Sequence, residues 1–265
     1  MWGWTFTVVR EAISISGVVP FLALRFLIAA VAVGAVWGRH LDGRALRTGG
    51  LIGLVLAAGY LLQTWGLRFT TASSSGLITG LFVVLAPVAD RLLYRTRQRR
   101  AVWAAVGLSV VGMSLLSGAG PQPLNLGDLM TLGCAAAFGI HIALLSRHAP
   151  HHDPRALTVS QMAACAAVFL LAWPLTGPVL PPPRTVWFAL ALTGLVASAV
   201  AFFIQTAVQR HLSATATALI LTMEPVFAAL FGSLLGGERL GALQLAGGAV
   251  ILAALLLAQP AGKTT

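Results

Sequence analysis

Residues 213–235 read SATATALILTMEPVFAALFGSLL, an apolar stretch whose single charged side chain is Glu224. A stretch of this length and composition can cross a lipid bilayer as a helix. At about 1.5 Å per residue, Glu224 lies roughly 16 Å from the start of the stretch, near the bilayer midplane. Pro225 follows and removes a backbone donor, which predicts a local helix break. An acid beside a helix break at this depth indicates a functional site as the first hypothesis.

The sequence leaves three roles open for Glu224. The carboxylate can carry a coupling proton, or it can bind a cationic group of a substrate. Alternatively, it is a protonated structural acid that hydrogen-bonds the backbone groups freed by Pro225.

The composition of the whole chain predicts a membrane protein. Of 265 residues, 58% are hydrophobic and 9% are charged, and the mean hydropathy is +0.88. Soluble domains are about 25% charged, so this composition excludes an ordinary soluble protein. Cys134 and Cys165 both lie in apolar runs, which favours buried thiols over a disulfide framework.

Apolar runs bounded by arginine, proline or glycine predict about ten membrane-spanning helices and leave only short connections. The predicted spans are residues 1–15, 18–38, 49–68, 71–93, 101–118, 127–146, 156–176, 185–208, 213–235 and 240–259.

The positive residues predict the orientation. With the amino terminus in the cytoplasm, 12 of the 17 lysines and arginines fall on the cytoplasmic side, 4 fall outside and Arg25 lies within a span. This bias in short loops predicts a multi-pass protein of the inner or plasma membrane with both termini cytoplasmic. Because the net charge of +10 follows this pattern, it indicates contact with the lipid bilayer and not with nucleic acid.

An internal repeat divides the predicted spans into two halves, residues 1–118 and 127–259. Arg99, Trp103 and Gly107 recur 140 residues later as Arg239, Leu243 and Gly247. Five spans per copy is an odd number, which predicts copies inverted in the membrane. The first copy has only two residues before the glycine that matches Gly139, so the first helix looks truncated. We expect the reading frame to continue upstream.

Four segments carry a resemblance to a known family. They are WGWTFTVVRE (2–11), PFLALRFLIAA (20–30), QTWGLRFTTASSSGLITGLFVVLAP (63–87) and LSATATALILTMEPVFAALFGSLLGGERLGALQLAGGAVIL (212–252). The chain resembles the EamA-type branch of the drug/metabolite transporter superfamily. The resemblance implies an all-α membrane protein of ten helices in two inverted five-helix repeats. It also implies transport of small metabolites, often outward, but it does not imply a particular substrate.

Two further ionisable side chains are candidates for binding a substrate or an ion. Arg25 lies about seven residues into the second span, where it can bind an anionic substrate group, pair with Glu224 or snorkel to the headgroups. His141 lies near the middle of the sixth span, where it is either a proton relay or a neutral hydrogen-bonding partner between helices.

Uncharged polar and aromatic residues complete the candidate set. Gln63, Gln161 and Gln205 lie in three different spans, where amides either join helices or line a substrate path. Trp4 is a candidate for stacking on a substrate. Pro87 is a second candidate for a helix break, in the fourth span.

Several classes of site are absent from the sequence. His148, His151, His152 and Asp153 have no metal-binding spacing and precede Pro154 in a loop, so we expect no metal site. Because the sequence has no phosphate loop, nucleotide fingerprint or GxSxG elbow, we expect no cofactor and no ATP-driven pump.

The favoured function is therefore a secondary transporter and not an enzyme. It would move a small organic metabolite by alternating access around a cavity between the repeats. On the family resemblance alone, we expect efflux of an amino-acid-like or amphipathic compound. The alternatives are a passive channel or facilitator and, less favoured, an intramembrane enzyme. The sequence leaves proton coupling and a homodimer open.

Overall fold

The computed structural model describes residues 2–117, 125–176, 184–224, 226–227 and 241–258, with the side chains of all but residues 2–7, 72–73, 116–117, 185 and 258. Every element in these ranges is helical. The α-helices are α1 (Trp2–Ser16), α2 (Val18–Trp37), α3 (Gly43–Gly66), α4 (Ala72–Thr79), α5 (Phe82–Tyr94), α6 (Arg100–Ser117), α7 (Leu126–His148), α8 (Pro154–Ala172), α9 (Arg184–Ala191), α10 (Ala201–Val208), α11 (Ala214–Leu221) and α12 (Ala242–Ala258). A π-helical segment, Leu192–Val200, joins α9 to α10.

Six helical segments of the described chain are long and apolar enough to cross a membrane. They are Val18–His40, Gly43–Gly66, Ser74–Tyr94, Leu126–His151, Pro154–Thr176 and Val186–Val208. Arg100–Leu115 and Ala242–Leu257 are shorter apolar helices. The chain is thus an all-helical, multi-pass membrane protein.

Polar caps set the starts of the helices. Asp42, Thr71, Asp153 and Ser213 each accept a backbone N–H of the helix that follows, and these bonds satisfy donors without a helical partner. The Asp42 cap explains why α3 begins at Gly43 and not near the predicted residue 49. The first turn of α3 is helical but charged, so it lies outside the apolar run that set the predicted start.

The predicted 71–93 span is interrupted, but not at Pro87. Pro87 lies inside α5, which continues through it to Tyr94. The interruption separates α4 from α5 at Gly80 and Leu81, where the Leu81 N–H donates to the carbonyl of Ile78, three residues back, at 3.1 Å. This tighter bond ends the α-helical pattern. The prediction of a break at Pro87 is therefore corrected. The predicted break at Pro225 lies outside the described residues.

The largest core cluster lies among α2, α3 and α8, with Phe21, Phe26 and Phe169 almost fully buried. The α3–α8 contact is close because of glycine. A Cβ built on Gly53 would lie 2.7 Å from the backbone oxygen of Gln161 in α8. A second cluster joins α5, α6, α7, α11 and α12.

Candidate substrate site in the helix bundle

Arg25 is a buried cation in the interior of the bundle. It lies on α2 and its side chain is 3% exposed. Its Nε donates to Ser198 Oγ at 2.9 Å, and its Nη2 donates to the Tyr60 hydroxyl at 3.2 Å. The guanidinium carbon also lies 4.5 Å from the centre of the Tyr60 ring, within the range of a cation–π interaction. The side chain therefore packs inside the protein and does not snorkel to the headgroups.

No carboxylate neutralises Arg25 within the described part of the chain. The single ion pair there joins Arg155 to Asp153, so the pairing of Arg25 with Glu224 that the sequence allowed is not formed. A guanidinium has five N–H donors, and the two observed bonds use two of them. A buried charge normally requires a counter-charge, and an anionic ligand would supply one here.

The π-helical segment positions Ser198 against Arg25. Gly194, in the same segment, allows a close approach to α2, because a Cβ added there would lie 2.9 Å from the backbone oxygen of Arg25. π-Helical segments are rare and occur often at functional sites. Here the segment brings a hydroxyl from residue 198 to a cation 173 positions earlier.

Tyr60 lies at the centre of the site. It is buried on α3, and its ring makes edge contacts with Phe26, Phe138 and Phe202 at centroid distances of 5.0, 5.3 and 6.1 Å. Glu224 lies within electrostatic range of Tyr60. The hydroxyl of Tyr60 thus contacts the cation directly.

Glu224 is half-buried and follows an interruption at Thr222. The Thr222 N–H lies 3.2 Å from the carbonyls of both Ala218 and Leu219. The Thr222 hydroxyl donates to the Leu219 carbonyl at 2.6 Å. The described interruption therefore lies three residues before Pro225 and places Glu224 just beyond the end of α11.

His141 and Gln161 form a buried polar network. His141 Nε2 lies 2.8 Å from Gln161 Oε1. An amide oxygen only accepts, so this contact assigns the proton to Nε2. Gln161 Nε2 donates to Thr206 Oγ1 at 3.3 Å and to the Leu157 carbonyl at 3.2 Å. The network joins α7, α8 and α10.

Gln63 and Gln205 are not hydrogen-bonded to Arg25. Gln63 donates to Thr79 at 3.2 Å, beside the end of α4. Gln205 donates to Gln209 at 2.9 Å. Trp4 lies in α1, and its side chain is outside the described set. Among the described residues, no group of three or more His, Cys, Asp or Glu could hold a metal ion.

Sequence reasoning missed Tyr60 and Ser198, the two hydrogen-bonding partners of Arg25. A usable signal existed for Tyr60, because a tyrosine in the middle of an apolar run is far from the interface that tyrosine prefers. Ser198 had none, since a serine in a small-residue run is ordinary in membrane helices.

Comparison with known proteins gives the family context of this site. The model of the EamA-like transporter family matches residues 1–118 and 125–258. An uncharacterized transporter of Archaeoglobus fulgidus is 34% identical over 260 residues, covering 97% of this chain and 82% of the relative. An uncharacterized transporter of Bacillus subtilis is 27% identical over 274 residues, covering 99% and 91%. A crystal structure with a TM-score of 0.76 and 22% identity covers 97% of this chain and 94% of its own, which shows a shared fold.

Proposed function

Because the chain belongs to the EamA-like transporter family, we propose that it is a secondary transporter that moves a small organic metabolite across the cytoplasmic membrane by alternating access. The observation that carries the substrate proposal is Arg25. It is a buried guanidinium whose described hydrogen-bonding partners, Tyr60 and Ser198, are both neutral. An ionisable residue inside a membrane protein is a candidate site by default, and this one lacks a described counter-ion.

The substrate that fits this site carries a carboxylate or a similar anionic group. A guanidinium binds a carboxylate with two parallel hydrogen bonds, and Arg25 has donors left for them. Glu224 lies within electrostatic range of Tyr60, so the proposed substrate also carries an amino group for which this acid is the negative partner. The two charges together favour an amino-acid-like compound.

The proposed architecture is ten helices in two inverted five-helix repeats. Four positions support it. The caps of α4 and α11, Thr71 and Ser213, are 142 residues apart, and the residues that end these eight-residue helices, Gly80 and Thr222, are also 142 apart. The two separate family matches support the same division.

The helix contacts also follow this exchange of halves. Helix α3 contacts α8 and the π-helical segment contacts α2, while α3 contacts α7 and α9 contacts α1. If the first five spans are exchanged with the second five, each pair of contacting elements maps onto the other. These pairs support the proposed inverted repeats, and in that architecture we expect the substrate path to lie between the halves.

A chemical gradient is the proposed energy source, because the sequence contains no nucleotide-binding motif. Glu224 is the proposed coupling residue, since it is the one acid in its span and a proton on it would change the charge of the site. Outward transport rests on the family resemblance. The arginine distribution supports cytoplasmic termini.

Transport by reconstituted protein tests the role of Arg25. Purified protein in liposomes is assayed with a panel of radiolabelled amino acids and their decarboxylated amine analogues. We expect a transported compound to require its carboxylate. Charge-assisted hydrogen bonds contribute about 1.5–3 kcal/mol, so Arg25→Gln should weaken apparent affinity roughly ten- to hundredfold.

Arg10→Gln is the matched control, because Arg10 lies on α1 and is exposed. It removes the same charge from a membrane-spanning helix without touching the site, so its apparent affinity should stay within about twofold of the parent. If Arg25→Gln discriminated between the carboxylate-bearing compounds and their amine analogues as well as the parent protein does, the assignment of Arg25 would be contradicted.

A further inference from the structure

An open pocket of about 690 Å³ lies at the ends of the apolar helices, away from Arg25. It is bordered by the residues before α3, the residues before α8 and the residues after α10. Three of its lining residues are arginines, namely Arg44, Arg155 and Arg210, and two are the neighbouring histidines His151 and His152. The pocket lies on the arginine-rich side of the chain, which we propose to be cytoplasmic.

The two carboxylates of the pocket are already engaged. Asp42 caps α3 by accepting the N–H of Arg44 at 2.8 Å and of Ala45 at 2.7 Å. Asp153 caps α8 and accepts from Arg155 Nη2 at 2.8 Å. The hydrogen bond from Arg155 lowers the pKa of Asp153 below its usual value, so this carboxylate stays charged and neutralises Arg155.

The remaining cations are directed at no acid in the part of the chain that the structure describes. Arg44 and Arg210 are exposed, and the ion pair of Arg155 with Asp153 is the only one formed between described residues. His152 Nδ1 donates to the His148 carbonyl at 2.9 Å, which fixes its ring beside the pocket. With three arginines and two carboxylates in its lining, the pocket has a net positive charge of one, and Arg44 and Arg210, from different helix ends, have no ion-pair partner among the described residues.

The lining of the pocket also includes an aromatic side chain. Phe203 lines the pocket and packs on Trp37 with ring centroids 4.2 Å apart. Arginines beside an aromatic ring, at the point where apolar helices end, suit a ligand with an anionic head and an apolar or ester-bearing portion.

We propose that this pocket binds the phosphoryl group of an anionic ligand through Arg44 and Arg210. Guanidinium groups bind phosphate oxygens in a bidentate manner, and basic pockets between membrane helices bind phospholipid headgroups in this way. The phosphoryl group can belong to an anionic phospholipid of the surrounding leaflet or to a soluble phosphorylated compound.

The rival explanation is that these arginines only contribute to the general positive charge of this face. The loop between α5 and α6 provides the comparison. It carries Arg95, Arg97 and Arg99, all exposed, and none of them lines the pocket. General attraction would depend equally on both groups of arginines, whereas a specific site depends on the arginines of the pocket.

Native mass spectrometry of the full-length protein in detergent measures the lipid arm of the test. The protein is titrated with phosphatidylglycerol and, separately, with phosphatidylcholine, whose phosphate is neutralised by its own ammonium. Isothermal titration with glycerol 3-phosphate and inorganic phosphate measures the soluble arm. The variants are Arg44→Gln and Arg210→Gln, with Arg97→Gln as the control for charge. Arg44→Lys and Arg210→Lys keep the charge and remove bidentate binding.

We expect one tight site, weakened about tenfold or more by Arg44→Gln or Arg210→Gln and unchanged by Arg97→Gln. The affinities of the lysine variants should lie between those of the parent protein and the glutamine variants. Preference for phosphatidylglycerol assigns the site to lipid, and the same pattern with glycerol 3-phosphate or phosphate assigns it to a soluble ligand. Equal weakening by Arg97→Gln, or no weakening by the pocket variants, would overturn the proposal. A glutamine variant is folded if its thermal unfolding midpoint without ligand matches that of the parent protein. If a glutamine variant does not fold, the lysine variant at the same position decides the outcome.

Discussion

The chain contains two tyrosines, Tyr60 and Tyr94, and replacing each by phenylalanine tests how the buried cation is held. Tyr60→Phe removes the hydroxyl that accepts from Arg25 Nη2 at 3.2 Å. It keeps the ring, whose centre lies 4.5 Å from the guanidinium carbon. The substitution therefore removes one hydrogen bond to a buried charge and retains the packing and the cation–π contact.

The expected loss follows from the burial of the charge. A hydrogen bond to a charged group contributes about 1.5–3 kcal/mol, and a buried donor left without its partner costs a similar amount. For chains of about this length, each kcal/mol lowers the unfolding midpoint by roughly 2–4 °C. Tyr60→Phe should therefore lower the apparent midpoint by roughly 3–12 °C. The apparent affinity for the transported substrate should fall as well, because Arg25 is less well positioned.

Thermal unfolding of the detergent-solubilised protein measures this loss, with Tyr94→Phe as the control. Tyr94 is half-buried, and its hydroxyl lies 3.5 Å from His148 Nε2, at the outer limit for a hydrogen bond. Its removal should change stability by less than about 0.5 kcal/mol. Equal midpoints for Tyr60→Phe and the parent would refute the view that the hydroxyl stabilises the buried guanidinium. Bound substrate should raise the midpoint of the parent more than that of Tyr60→Phe.

Three further substitutions or pairs test the packing, the orientation and the coupling residue. Gly53→Ala should destabilise the protein by roughly 1–3 kcal/mol, because the new Cβ meets the backbone of α8 at 2.7 Å. Gly50→Ala, on the same helix, adds a Cβ that meets nothing within 4 Å and should be neutral or stabilising. Equal thermal unfolding midpoints for the two variants would contradict the close α3–α8 contact. Arg97→Cys should resist a membrane-impermeant thiol reagent in intact cells and Arg68→Cys should react, and the reverse pattern would overturn the orientation. Glu224→Gln should insert normally but lose most gradient-driven transport at matched membrane levels, and flux with the pH dependence of the parent would exclude Glu224 as the coupling residue.

The sequence predicted the apolar helices well because hydrophobic length alone specifies them. The run predicted at 18–38 is α2 at Val18–Trp37, and the run predicted at 101–118 is α6 at Arg100–Ser117. The interruption at Gly80 was not predicted. It is marked by a bond from Leu81 to a carbonyl three residues back, at a glycine where an added Cβ would meet Met113 of α6, and neither feature has a sequence pattern of its own. Pro87 has such a pattern, but the helix accommodates it.

For the candidate site, the sequence identified the charged residues and could not identify their partners. Arg25 and His141 are visible because ionisable groups are rare in apolar runs. Tyr60 and Ser198 lie 35 and 173 residues from Arg25 along the chain. Neutral polar residues are common in membrane helices, so only the packed structure shows which of them contact the cation. The same limit applies to the basic pocket, since its arginines looked like ordinary loop charges.

The partners of Arg25 come from both halves of the chain. Arg25 and Tyr60 belong to the first family match, residues 1–118, and Ser198 belongs to the second, residues 125–258. The largest core cluster also joins the halves, because it packs α2 and α3 of the first against α8 of the second. In the proposed alternating-access cycle, a movement that separates the π-helical segment from α2 would strain the bond from Arg25 to Ser198. A carboxylate bound to the free donors of Arg25 would replace the lost interaction with a stronger one, which links occupancy of the site to the energy of the movement.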